Sequence, residues 1–152
     1  MSETKSVTIM SALAIMAMVK DTVLPALGRD GATVNLIWDP TVALMKRIAD
    51  GETADGIVAI DWALDELASK GLIDTDSRRP VAQAVVGLAV RAGAPKPDIS
   101  TEQALRNTLL ATRSLVVSQA GASGIYFDKL IDRLGIGDAV RSKTLVIPRG
   151  LT

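Results

Sequence analysis

Short apolar runs alternate along this chain with longer runs of helical spacing, and the order is kept from end to end. Ser6 to Met10, Thr33 to Trp38 and Gly56 to Ile60 are β-branched or apolar stretches of strand length. Each leads directly into a helical run: Ala12 to about Arg29, Thr41 to about Asp50, and Asp61 to Lys70. Pro25 predicts a kink or early stop in the first of these. Asp30-Gly31 reads as a turn. Gly51 and Gly71 sit where a left-handed residue closes the second and third helices. Strand followed by helix three times over predicts a parallel sheet with helices on its faces.

Thr75 to Pro80 is polar and breaks the apolar pattern. From Val81 the chain reads as one long strand, Gln83 to Arg91, followed by a rigid connector at Ala94-Pro-Lys-Pro97. Ser100 or Thr101 caps a helix reaching about Thr112, with Glu102 and Gln103 in its first turn. Ser114 to Ser118 predicts a strand, Ser123 to Leu134 a helix, and Gly135-Ile-Gly137 a turn. Lys143 to Ile147 is the last strand, and Pro148-Arg149-Gly150 a loop.

Three of the junctions carry candidate chemistry. At each, a strand delivers small residues to a helix start, where free backbone N–H groups and the helix dipole attract an anion. At Ser11-Ala12 the hydroxyl and following amides can hold a ligand oxygen, or Ser11 is simply an N-cap. At Asp39-Pro40-Thr41 the hydroxyl and amides can face a ligand, but the Asp39 carboxylate repels an anion and suits a cation or a ligand hydroxyl. The structural alternative makes Asp39 the N-cap before Pro40. At Gly121-Ala-Ser-Gly124 small residues admit close backbone approach and Ser123 adds a hydroxyl; the alternative is a tight turn packed on a neighbour. No lysine follows as in a phosphate loop, so triphosphate binding is not indicated. Arg78, Arg79 and Arg91 can supply charge to an anion or serve as solvated supports.

Composition removes several classes. The 152 residues contain 17 acidic and 17 basic side chains, so no broad field points to nucleic acid. Cys and His are both absent. That excludes disulfides, thiolate chemistry and the commonest general base and zinc ligand. No metal site and no cofactor is expected. Lys5 and the apolar run to Val19 can be read as a secretion signal, or as a buried strand and helix that begin the βα order. The second reading gives a cytoplasmic expectation; removal of residues before position 1 gives a periplasmic one.

Several segments together resemble a known family. Ser11-Ala-Leu13, Trp38-Asp-Pro-Thr-Val-Ala-Leu44 and Ile48-Ala-Asp-Gly-Glu-Thr-Ala-Asp-Gly-Ile57 carry the first part. Asp65-Glu-Leu-Ala-Ser-Lys-Gly-Leu-Ile73, Val90-Arg-Ala-Gly-Ala-Pro-Lys-Pro-Asp-Ile-Ser100 and Ala122-Ser-Gly-Ile-Tyr-Phe127 continue it. In this order and spacing they are similar to the molybdate-binding-protein branch of the bacterial solute-binding proteins. The resemblance implies an α/β, type 2 periplasmic-binding-protein-like fold. Its parallel-sheet lobe (1–80) would carry helices on both faces, with a crossover or hinge strand (81–91) and a partial second α/β lobe (92–152). It implies a small anion held by helix N-termini between lobes, through Ser11, Ala12, Thr41, Ser123 and Gly124; Asp39 is a ligand-binding candidate from its own place at the second junction.

Two departures from the family stand out. Members usually place a small residue where Asp39 stands, and they carry more second-lobe chain. The second departure fits a fragment, a partner chain supplying the missing part, or two copies exchanging elements. Two functions follow. The first is a solute-binding protein for a small oxyanion or carboxylate that closes by hinge motion, with an ABC-transporter permease as a partner. The second is an isomerase or lyase of a small carboxylate with Asp39 as catalytic general base. An effector-sensing domain is a third reading, weakened by the lack of a preceding DNA-binding helix pair.

Overall fold

Ser6–Ser11 (β1) is the centre of the first sheet, with Val7, Ile9 and Met10 as its apolar side chains and Met10 and Ser11 buried at its C-terminal end. Thr33–Trp38 (β2) and Gly56–Val58 (β3) pair with it in parallel, one on each side, giving the order β2-β1-β3. The registers run from Ser6 opposite Thr33 to Ser11 opposite Trp38, and from Ile9 opposite Gly56 to Ser11 opposite Val58. The computed structural model describes residues 6–29, 31 and 33–148. They fall in two compact units, Met1–Ala84 and Val85–Thr152.

The first helical run, α1 (13–29), is composite. A 3-10 turn (Leu13–Ile15) leads to a short α segment (Met16–Met18), a π segment (Val19–Val23) and a final α segment (Leu24–Arg29). Pro25 therefore does not stop the helix. In regular α geometry its ring would collide with the carbonyl four residues back. The chain avoids this by widening one turn: the Leu24 amide donates to the Val19 carbonyl, five residues earlier.

Thr41–Ala49 (α2) and Asp61–Ser69 (α3) follow β2 and β3. Gly51 and Gly71 end them with φ of 96° and 67°, the left-handed conformation expected of helix-closing glycines. The chain leaves β1 toward β2 and then returns across β1 to β3. Right-handed connections in both directions place α1 and α2 on opposite faces of the sheet. Met10, Leu44, Ala63 and Leu67 form the fully buried apolar core of this unit.

In the second unit, Leu115–Ser118 (β4) and Thr144–Ile147 (β5) form a parallel pair, with Leu115 opposite Thr144 and Ser118 opposite Ile147. Glu102–Ala111 (α4) precedes β4, and Ala122–Arg133 (α5) follows it. The Thr101 hydroxyl accepts from the Ala104 amide at 3.1 Å, the N-cap anticipated from the sequence. Leu109, Ile131, Leu134, Ile136 and Val140 make the core, with Leu115 and Phe127 against it. Val140 belongs to a short helix, Gly137–Arg141 (α6), where the sequence suggests only a turn at Gly135 to Gly137.

One expected strand does not form. Residues 81–91 pair with no strand among the described residues, and Val81 and Val85 are 62% and 90% exposed. The β-branched composition there is real, but a strand requires a neighbouring ladder, and none is supplied within the described residues. The Asp30 half of the expected 30–31 turn, the start at Lys5 and the loop residues 149–150 lie outside the described residues. Among the described residues no helix is long and apolar enough to cross a membrane.

Candidate functional site

In the order β2-β1-β3 the β1-to-β2 and β2-to-β3 connections run in opposite directions, which puts a switch point between the C-terminal ends of β1 and β3. In open parallel sheets the helix connections part at such a point and leave a crevice. Ser11 and Ala12 form the β1 exit. Asp39, Pro40 and Thr41 form the β2 exit beside it, and the Asp39 amide donates to the Ser11 carbonyl at 3.3 Å. On the other side the Ala12 amide donates to the Val58 carbonyl at 2.9 Å. Sheet hydrogen bonding thus holds Ser11, Ala12, Asp39 and Thr41 in one place.

What these residues offer differs from the sequence expectation in detail. Ser11 is not an N-cap: it is the last residue of β1, and its hydroxyl donates to the Ala12 carbonyl across 3.2 Å. The helical run starts beyond it, with Ala12 as an N-cap that offers no side chain. The Ala12 amide is committed to β3, so any amides offered to a ligand come from the following turn. Asp39 is not an N-cap either. Pro40 holds that position, no side chain caps the helix, and the first intrahelical acceptor is the Pro40 carbonyl, bonded by the Leu44 amide at 3.0 Å. The amides of Thr41, Val42 and Ala43 therefore have no intrahelical acceptor.

Thr41 is the most telling of these residues. It is 2% exposed and its Oγ1 has no hydrogen-bond partner among the described residues. Ser11 is 1% exposed, and these two are the buried polar residues of the described chain. A buried hydroxyl without a partner costs about 1–3 kcal/mol; Trp62 Nε1 and Ser118 Oγ are buried without partners as well. What sets Thr41 apart is its place at the uncapped start of α2, where the first amides and the positive end of the helix dipole favour negative charge.

The Asp39 carboxylate is turned aside to Arg47, whose Nη1 donates to Asp39 Oδ2 at 3.0 Å. The same guanidinium grips Glu52 with Nε and Nη2 at 2.7 and 2.8 Å. This fork holds the Glu52 carboxyl below its ordinary pKa and raises that of Arg47, chiefly through the Glu52 bond. Arg47 has no part in the sequence expectation. Its partners lie eight and five positions away and meet it only once α2 is wound and its closing loop turned back. Arg78 and Arg79 are likewise engaged: Arg78 bridges Asp61 and Asp65 on α3, and Arg79 donates to the carbonyls of Asp76 and Arg78.

In the second unit, Ser123 and Gly124 lie in the first turn of α5. Ser123 is exposed at the helix start, where Gly121 as N-cap brings no side-chain acceptor. Gly124 has a different task. Its amide already donates to the Gly121 carbonyl at 3.1 Å, and a Cβ there would lie 1.7 Å from the Ser118 carbonyl oxygen. The tight packed turn is thus present, and glycine is compulsory in it. Ser118, at the end of β4, was not singled out by sequence; its Oγ is buried and without a partner among the described residues.

A cleft of about 620 Å³ opens beside the N-terminal end of β3, lined by apolar side chains such as Ile57, Leu64 and Leu67 and by charged ones including Glu52, Asp55, Arg78 and Arg79. It contains none of Ser11, Ala12, Asp39 and Thr41, and Asp55 in its wall is already bonded to the Thr8 amide at 2.8 Å. The unpartnered Thr41 hydroxyl lies outside this cleft. Among the described residues no cluster of three carboxylates could hold a metal ion.

Parallel α/β units with helix starts gathered at the strand ends are the architecture in which the solute-binding class of fold is built. The chain belongs to the bacterial extracellular solute-binding protein family, whose model matches residues 7–150. It is 33% identical over 150 residues to an aconitate isomerase of Pseudomonas sp, covering 94% of this chain and 56% of that relative. In fold it is similar to the Azotobacter vinelandii periplasmic molybdate-binding protein. The TM-score is 0.60 at 12% sequence identity, over 94% of this chain and 62% of that one. The type 2 periplasmic-binding-protein architecture is therefore shown, and the chain spans somewhat over half the length of each of these proteins.

Proposed function

We propose that the chain binds a small anionic solute at the end of β1, with carboxylates the favoured class. The observation that carries this is the buried, unpartnered Thr41 hydroxyl at the uncapped start of α2, beside Ser11. Negative charge suits the site because free amides and a helix dipole supply the recognition without a full opposing charge. A carboxylate rather than a metal oxyanion is supported by the aconitate isomerase relative, which is much closer in sequence than the molybdate-binding structure. Delivery of the solute to a membrane permease is the finer form of this reading.

A second reading, isomerisation of a small carboxylate, is favoured by the name of that same relative. Asp39 is then the candidate general base, acting through Oδ1, since Oδ2 is held by Arg47. Calorimetry with aconitate, citrate, molybdate, sulfate and phosphate tests the binding proposal. Saturable heat with a carboxylate, reduced at least tenfold in Thr41→Val, supports it; no saturable binding of any of the five overturns it. Proton NMR of cis- and trans-aconitate incubated with the chain tests the second reading. Interconversion lost in Asp39→Asn supports catalysis, and absence of interconversion removes it.

A further inference from the structure

We infer that Arg47 is the positioning residue for this anion site, an inference that rests on the binding proposal above. No side chain caps α2, because Pro40 at its N-cap has no side-chain acceptor for the first amides. The angle of the helix start, which aims Thr41 Oγ1 and the amides of residues 41–43, must therefore be set from elsewhere. Arg47 lies in the last part of α2, and its side chain reaches back past the helix start to Asp39 Oδ2 at 3.0 Å. Its other edge holds both oxygens of Glu52, in the loop between α2 and β3. The Glu52 amide in turn donates to the Arg47 carbonyl at 3.0 Å. One planar group thereby ties the β2 exit, the body of α2 and the approach to β3 into a single frame.

The arrangement also disposes of a charge problem. An anion site bordered by a free Asp39 carboxylate would repel its own ligand. Arg47 draws that carboxylate along the side of α2, away from the helix start, and screens it with a charge that Glu52 shares; the Arg47 side chain remains only partly exposed, at 39%. Lysine could supply the charge, but not three directed donors in one plane. That difference separates positioning from simple neutralisation.

The test uses the whole chain and the variants Arg47→Met, Arg47→Lys and Glu52→Gln. In ligand-free protein, ¹⁵N relaxation at residues 41–43 should fall from order parameters of about 0.85 toward 0.6 in both Arg47 variants, with β1 unchanged. Aconitate affinity should drop at least tenfold in Arg47→Met and remain low in Arg47→Lys, while Glu52→Gln gives a smaller loss. Should Arg47→Met fail to fold, Arg47→Lys and Glu52→Gln decide. Unchanged order at 41–43 in the folded variants overturns the inference, whatever the wild-type chain binds. Full recovery of affinity by Arg47→Lys also overturns it, reducing Arg47 to a counter-charge. A wild-type chain that binds none of the five anions overturns the binding proposal and this role of Arg47 with it, whereas a wild-type chain that binds aconitate with order at 41–43 unchanged in the variants overturns the inference alone.

Discussion

The amide of Asp39 donates to the carbonyl of Ser11 across 3.3 Å, extending the β1–β2 ladder one step past its last paired residues. This bond brings the two turns that carry Ser11 and Thr41 to the same end of the sheet. It uses main-chain atoms only, so the site's gross placement survives changes of side chain. Its fine chemistry does not, and the two can be separated by mutation.

Thr41→Val keeps the shape and removes the orphan hydroxyl. Relief of an unsatisfied buried group should raise stability by about 1 kcal/mol. Anion affinity should fall about tenfold, since the only loss is a ligand contact. Thermal unfolding of both proteins, paired with calorimetric titration, checks the opposite signs.

Gly124→Ala places a methyl group 1.7 Å from the Ser118 carbonyl oxygen. The backbone of β4 or α5 must shift, at a cost of about 3 kcal/mol. Urea unfolding should show a lower midpoint, and a midpoint equal to wild type would show that the turn relaxes freely.

Thr101→Ala removes the α4 N-cap bond to the Ala104 amide. A loss of about 1 kcal/mol is expected. Denaturation followed by circular dichroism measures it, and Thr101→Ser should restore most of the loss.

Acid sensitivity follows from Glu52. Arg47 lowers its folded-state pKa below the ordinary value of 4.5. The pair therefore stabilises the fold above that value, and the contribution is lost as pH falls through the lowered folded pKa. Stability profiles of wild type and Glu52→Gln should stay separated by a constant offset above pH 4.5 and converge as pH falls below it, through the lowered folded pKa. An offset that does not change as pH falls below 4.5 would show that the pair contributes nothing.

Much of this was legible in the sequence. Thr33–Trp38 forms over its expected span, and Gly51 and Gly71 take the positive φ their positions suggest. Strand-helix alternation is a local pattern, set by side-chain spacing over a few residues, and it reads out directly. The misreadings depend on what lies outside the segment. Gln83 to Arg91 has strand composition without a ladder. Pro25 breaks an α-helix but is accommodated once one turn widens. Ser11 and Asp39 look like caps because Ser and Asp usually cap, yet their side chains serve the Ala12 carbonyl and Arg47 instead. Ser11, Ala12, Asp39 and Thr41 do converge, since a parallel sheet gathers its strand exits on one edge. Arg47 escaped notice because its three-residue network exists only after the loop folds back.

The bare main chain of residues 81–90 bears on how the protein must be handled. Valine-rich, uncharged and lacking internal hydrogen bonds among the described residues, it is the kind of segment that recruits neighbours into aggregates. Concentrated preparations should turn cloudy with time, and a lysine in place of Val85, whose side chain stands almost wholly in solvent, should keep them clear.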